Sequence, residues 1–340
     1  MDRNAVLLMD IGGTNCRAKI VRDINCLFEE SAVISSRTVK ISDKQALVAF
    51  IRQLLGTGNK SVKPVLAVLC FAGPIIDGSV SMVNWSGQRD VTVEELVQAG
   101  LPETGIRLLN DMEAAAYALV AGNKGHIRLR RTPIHPGTQS EHSRNTNAVI
   151  MIPGTGIGVA AVVGRPGSPQ HGEPQVLGCE LQHTPIPELD AVQLDILKNM
   201  KTKLSIIKPS WEDFISGKGL ENIHRCLIPE REGLEDRGAE AIAELALQGK
   251  DRYCVSALNM FYQCCGALAQ VLALTFQPYD GIYLGGESTR RNHDFIGNSP
   301  FLRQLQNNEV RGGLLREFPV YLMEDELNLA GAAYAATLMG

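Results

Sequence analysis

Residues 5–21 read Ala5-Val-Leu-Leu-Met-Asp-Ile-Gly-Gly-Thr-Asn-Cys-Arg-Ala-Lys-Ile-Val21. A second version occupies 146–162, as Thr146-Asn-Ala-Val-Ile-Met-Ile-Pro-Gly-Thr-Gly-Ile-Gly-Val-Ala-Ala-Val162. Each is an apolar run, a Gly-Thr turn and a second β-rich run, the pattern of a hairpin. Aligned without gaps, Gly13 meets Gly154 and Thr14 meets Thr155. Two such hairpins imply two duplicated halves, each offering the N–H groups of a glycine turn, plus a threonine hydroxyl, to one anionic ligand. The copies differ at one place: Asp10 in the first is Met151 in the second. A single carboxylate is expected if one turn manages a metal and the other only phosphate.

Two commoner phosphate motifs fail. A P-loop needs Gly-Lys-Ser/Thr after its glycines, and that tripeptide does not occur. A dinucleotide fingerprint needs a third glycine and a following helix, whereas after Gly154-Thr-Gly156 the chain has Val159 and a β-rich run. The turns therefore read as anion nests with no helix dipole behind them.

At 340 residues the chain has room for two domains of ordinary size, each with its own core. A net charge of −4 offers no polyanion-binding surface, so no nucleic-acid partner is expected. The N-terminus lacks a secretory pattern and no apolar run reaches a membrane span, so no membrane partner is expected either. Eight cysteines without a Cys-x-x-Cys pair fit reduced thiols in a cytoplasmic protein.

Strand and helix patterns alternate, which argues for an α/β architecture. Strands are expected at 5–10, 16–21 and 64–70, helices at 44–55 and 92–99, the latter opening on the capping box Thr92-x-x-Glu95. The polar segment 122–145 reads as a solvated loop or domain crossing. Residues 252–276 form the longest helical pattern, Gly281-Ile-Tyr-Leu-Gly-Gly286 a strand ending on paired glycines, and 327–339 an Ala-rich helix. The expected domains are 1–117 with 327–340, the smaller, and 118–326.

Ile106-Arg-Leu-Leu109 is a short buried strand delivering Asn110-Asp111 to the mouth of a helix. In isolation either residue is an ordinary helix cap. Glu180 and His183 precede Pro185 and Pro187, which argue against a continuing helix, and no His-Glu-x-x-His is present. They read as a loop carboxylate and imidazole, an acceptor and a switchable donor for polar groups, rather than as metal ligands. Ser210-x-x-Asp213 reads as a helix start with Glu212 in it, where an acid suits the dipole anyway.

These motifs together resemble the sugar-kinase branch of the actin/Hsp70/hexokinase superfamily, and specifically bacterial-type glucokinases. Asp10-Ile-Gly-Gly-Thr-Asn15 is similar to that family's first phosphate motif, Pro153-Gly-Thr-Gly-Ile-Gly158 to its second and Leu284-Gly-Gly286 to its adenosine motif. The likeness continues through Ala72-Gly-Pro74, Met82-Val-Asn84, Leu109-Asn-Asp111, Glu180-x-x-His183 and Ser210-Trp-Glu-x-x-Ile-Ser-Gly217, in the family's order.

The resemblance implies a two-domain actin-like ATPase (ribonuclease H-like) fold with a deep interdomain cleft. It implies ATP-dependent phosphorylation of glucose at the 6-hydroxyl, with Asp111 as catalytic base. Asn84, Asn110, Asp111, Glu180, His183 and Glu212 are the implied sugar ligands. Asp10, Gly12, Gly13, Thr14, Asn15, Gly154, Thr155, Gly156, Gly285 and Gly286 are the implied ATP contacts, with Asp10 organising Mg²⁺ through water. A cytoplasmic homodimer at the entry to glycolysis is implied too. One departure stands out: the family's Glu-Gly-Gly-His sugar loop is Glu180-Leu-Gln-His183 here. Trp85-Ser86 after Asn84 is a second, lesser one. The alternatives are a kinase for another hexose (mannose or an amino sugar), a non-catalytic sugar sensor on the same fold, and an actin-like ATPase acting on a protein.

Overall fold

The computed structural model describes residues 4–56, 61–82, 84–138, 147–164, 174–229 and 237–339. They form two compact units, Met1–Leu129 with Glu326–Gly340, and Arg130–Asp325. The boundary expected at 117 falls inside the helix Asp111–Asn123.

The first unit contains β1 (Val6–Ile11), β2 (Asn15–Val21), β3 (Val33–Lys40), β4 (Leu66–Phe71), β5 (Ile75–Ile76), β6 (Ser79–Ser81), β7 (Asp90–Thr92) and β8 (Ile106–Asn110). Its main sheet runs β3-β2-β1-β4-β8, and β5-β6-β7 form a small separate sheet. Strand β1 pairs antiparallel with β2 and parallel with β4, which pairs parallel with β8. Parallel strands are covered on both faces, and β1 shows how the period of two serves two cores. Leu7, Met9 and Ile11 pack with Leu47, Phe50 and Ile51 of the helix Lys44–Leu55. Val6 and Leu8 point the other way, toward Ala332, Ala333, Ala335 and Ala336 of the C-terminal helix Asn328–Thr337. That helix lies so close to Asp111–Asn123 that a Cβ on Gly331 would stand 1.7 Å from the carbonyl oxygen of Ala114.

The second unit repeats the plan. It contains β9 (Arg131–His135), β10 (Ala148–Pro153), β11 (Ile157–Val163), β12 (Gln175–Cys179), β13 (Gly281–Leu284) and β14 (Val320–Met323). The order β12-β11-β10-β13-β14 matches that of the first sheet, with β9 added at the edge beside β14. The pairings match as well, antiparallel across β10–β11–β12 and parallel across β10–β13–β14.

The duplication is not gapless. Ile11 pairs with Cys16, whereas Ile152, its counterpart, pairs with Gly158. Counting from the shared isoleucine, the partner lies five residues on in the first hairpin (16 − 11) and six in the second (158 − 152). The second turn holds one extra residue.

Two other expectations change. The segment 122–145 contains β9, with Pro133 inside it; as the edge strand beside β14, it tolerates the missing N–H. Residues 139–145 of that segment lie outside the described residues. Contrary to the expectation that no apolar run reaches a membrane span, the helix Arg252–Phe276 is long and apolar enough to cross one by length and composition. Its Leu258, Phe261, Leu268 and Leu272 are buried among Val149, Met151 and Ile282 of the sheet. It is the core helix of this unit.

Candidate active site

In the first unit, the expected residues gather at the carboxyl ends of the parallel strands, the usual ligand edge of α/β sheets. Asp10 pairs in register with Cys70, and Phe71 pairs with Asn110, so β4 alone separates Asp10 from Asn110. Two strand spacings amount to roughly 10 Å. The turn between β1 and β2 is closed by Gly12 N–H donating to Asn15 O at 2.9 Å. Asn84 packs directly on it, since a Cβ on Gly13 would lie 2.9 Å from the Asn84 Cβ. The next residue, Trp85, is 1% exposed and sits in the core with Phe50 and Leu96. This otherwise atypical tryptophan anchors the loop that presents Asn84.

Asp10 is largely sequestered, with its side chain 14% exposed. Oδ1 accepts from Asn328 Nδ2 at 2.9 Å, and Arg17 Nη1 stands 3.6 Å from Oδ2 while also pairing with Glu326 at 2.5 Å. Burial raises the Asp10 carboxyl above its ordinary range, outweighing the lowering effects of the Asn328 bond and Arg17. Arg17, Glu326 and Asn328 were not singled out from the sequence. Asn328 lies 318 residues from Asp10 and only the fold brings it there.

At the end of β8 the two neighbouring residues divide their tasks. Asn110 caps the helix: its Oδ1 accepts from Met112 N–H at 2.9 Å, and Glu113 returns the bond by accepting from Asn110 N–H at 3.1 Å. Its Nδ2 donates to Gly73 O at 3.1 Å, so the Ala72-Gly-Pro74 stretch lies against the Asn110 side chain. With Oδ1 also accepting from the Glu113 N–H in the capping box, one N–H of that amide is left for a ligand. Asp111 is therefore not the cap; it occupies the first helical turn, where the dipole favours negative charge.

In the second unit, Gly154 N–H donates to Gly156 O at 2.7 Å to close the turn. Gly217 N–H donates to Gly154 O at 2.8 Å and opens the helix Gly217–Leu227, capped by Ser216. The expectation of a nest without a helix dipole is thus corrected: this helix begins against the turn. The paired glycines after β13 adjoin the same turn. Gly286 has φ +95°, and a Cβ there would stand 2.7 Å from Pro153 O, so only glycine fits.

The stretch 210–213 is not a helix start. Ser210 N–H and Oγ both donate to Asp213 Oδ2, at 2.7 and 2.9 Å, closing a turn instead. Trp211 and Glu212 run alongside the 180–184 loop, their N–H groups donating to Thr184 O and Gln182 O at 3.3 and 3.1 Å. Glu212 thereby reaches the glycine turn, and its Oε2 accepts from Ile157 N–H at 3.1 Å. Glu180 precedes and His183 ends the short 3₁₀ turn Leu181–His183, with His183 Nε2 3.3 Å from Glu180 Oε2. Gln182, unremarked in sequence except as a departure, donates to Glu180 from beneath at 2.7 Å.

Another cluster in this unit, His224, Asp251 and Cys254, brings its ligand atoms within 4.8 Å of one another. Its cation is already supplied: Arg237 Nη1 lies 2.6 Å from Asp251 and 3.7 Å from the Cys254 sulfur.

Two like-ordered sheets, each with a glycine hairpin, are the architecture of the actin-like ATPase fold class. A glucokinase from an Antarctic psychrotroph has the same fold, with a TM-score of 0.76, 25% identity and 99% of each chain covered. The glucokinase of Balamuthia mandrillaris, solved in complex with glucose, gives 0.78 at 20% identity, over 99% of this chain and 94% of that one. A family model described as glucokinase matches residues 7–339. The glucokinase of Caulobacter vibrioides is 30% identical over 98% of this chain and 96% of its own. The chain belongs to the glucokinase family.

Proposed function

We propose that this protein transfers the terminal phosphoryl group of ATP to the 6-hydroxyl of glucose, giving glucose 6-phosphate and ADP. The observation that carries the reading, beside family membership, is the division of labour at Asn110 and Asp111. Because Asn110 does the capping, the carboxylate beside it is not needed for the helix end. Held in the first helical turn, where the dipole favours negative charge, the Asp111 carboxylate orients the sugar hydroxyl toward the γ-phosphorus, accepting its proton late in a loose transition state. Asn84, Asn110, Glu180, His183 and Glu212 bind the remaining hydroxyls. Gly13, Thr14 and Asn15, with Thr155 and Gly156, offer N–H and hydroxyl donors to the phosphates; Gly12 and Gly154, whose N–H groups close the two turns, hold those donors in place, and Gly285 and Gly286 make room for the nucleoside.

Asp10 fits a hydrated magnesium ion. It is a buried carboxylate whose charge is under-compensated by Asn328 and a guanidinium 3.6 Å away. A lone carboxylate suits a metal that keeps most of its waters. When bound, Mg²⁺ neutralises charge developing on the phosphate oxygens. The cytoplasm is the compartment this reading assigns, supported by eight cysteines that are all free thiols. A homodimer at the first step of glycolysis completes it, on the family resemblance.

The test is an ADP-release assay with MgATP across a panel of glucose, mannose, fructose and amino sugars. Release with glucose at the highest kcat/KM is the expected result. No hexose-dependent release would remove the catalytic reading, and preference for another sugar would remove the glucose assignment.

A further inference from the structure

Gln182 stands where it can decide how Glu180 is presented. It is 6% exposed, although it sits on a loop whose neighbours Glu180 and His183 have side chains 54% and 56% exposed. Its Nε2 donates to Glu180 Oε2 at 2.7 Å, and this contact settles the amide orientation, since a carboxylate can only accept. Its backbone carbonyl accepts from Glu212 N–H at 3.1 Å, so one residue ties together both acids of the sugar set in this unit. Its other end, Oε1, is buried with no partner among the described residues. A buried, unpaired acceptor carries a desolvation penalty that an apolar side chain of the same shape would avoid. The residue is therefore badly chosen for stability and well chosen for holding Glu180.

We propose that Gln182 is a positioning residue for the hexose: its buried amide locks the Glu180 carboxylate through Oε2, turning Oε1 to the sugar. This rests on reading Glu180 as a sugar ligand. Restraint from a buried side chain takes the place of the two glycines expected in this loop.

The test compares Q182M, Q182E and E180Q in the full-length protein. For Q182M, nearly isosteric and apolar, glucose KM should rise about tenfold, the value of one charge-assisted hydrogen bond at the low end. kcat and ATP KM should stay within twofold, and the thermal midpoint should hold or rise. A purely structural glutamine would instead lower the midpoint.

Q182E supplies a second readout. Protonated, the new acid donates to Glu180 as the amide does; ionised, it repels Glu180. Its glucose KM should approach wild type near pH 6 and exceed it more than tenfold near pH 8.5. His183, Glu212 and Cys179 are the other titratable groups about this loop, and all three are present in Q182M as well. The difference between the two variants isolates position 182. Unchanged glucose KM in Q182M, a general loss of kcat and stability there, or identical pH profiles for the two variants would each overturn the proposal. An unchanged glucose KM in E180Q would instead overturn the sugar-ligand reading of Glu180.

Discussion

Replacing Gly156 by alanine should weaken glucose binding, although Gly156 belongs to the turn proposed to hold phosphate. Its φ lies outside the left-handed region, so alanine is allowed by the backbone. The obstacle is Glu212, because the new methyl would lie 2.5 Å from Oε2. Relief to an ordinary contact of about 3.4 Å moves the carboxylate by about 0.9 Å. That breaks the bond it accepts from Ile157 N–H, now 3.1 Å long. A hydrogen bond to a charged group contributes about 1.5–3 kcal/mol net, which corresponds to roughly 10- to 150-fold in affinity. Steady-state kinetics coupled to glucose 6-phosphate dehydrogenase should show glucose KM rising by that factor. E212D withdraws the acid by one methylene, so the double variant should depart from additivity by about 1 kcal/mol or more. Glucose KM within twofold of wild type in G156A, with ATP KM alone raised, would refute the link from glycine turn to sugar acid.

Three further outcomes follow from other contacts. Gly331→Ala drives a methyl into the Ala114 carbonyl and should destabilise by about 1–3 kcal/mol, a midpoint drop of about 2–12 °C by calorimetry. An unshifted midpoint would show that the two helices separate freely. Asp10→Asn should abolish most activity at any Mg²⁺ concentration yet leave the midpoint at neutral pH equal or higher. The folded-state pKa of Asp10 is raised, so its contribution to stability is lost as pH rises through that value, and at pH 7 the ionised group is a burden. A clear drop in midpoint would contradict this.

His224 is held below its ordinary 6.5 by burial, so the unfolded chain takes up a proton first as pH falls. Stability should decline from about pH 6.5 downward, and His224→Gln should flatten that part of the profile in urea titrations. Asp251, held at about 2 chiefly by the Cys254 N–H and then by Arg237, contributes stability above 3.8 that disappears as pH falls toward 2. That acid limb should persist in the His224 variant.

Much of the fold was legible because its signals are local. The hairpins, the capping box at Thr92 and the 252–276 helix rest on apolar periodicity and turn residues read within one segment. The duplication was legible as well, but the extra residue in the second turn was not, since register depends on pairing that no ungapped comparison reveals. The 210–213 turn was misread because a Ser-x-x-Asp pattern serves a helix cap and a closed turn equally; here Asp213 folds back on Ser210. Strand β9 was hidden by Pro133, which only an edge position accommodates. The candidate residues were named by motif, whereas their partners came from distant segments. Asn328 on Asp10 and Ile157 on Glu212 are contacts of tertiary structure, with no sequence pattern of their own.

The most direct measurement is the turnover of Asp111→Asn with saturating glucose and MgATP, beside the wild type. Asparagine keeps the shape and cannot accept the proton, so kcat should fall at least about 10²-fold while glucose KM changes only a few-fold. Turnover near the wild-type rate would contradict the assignment of Asp111 as the base.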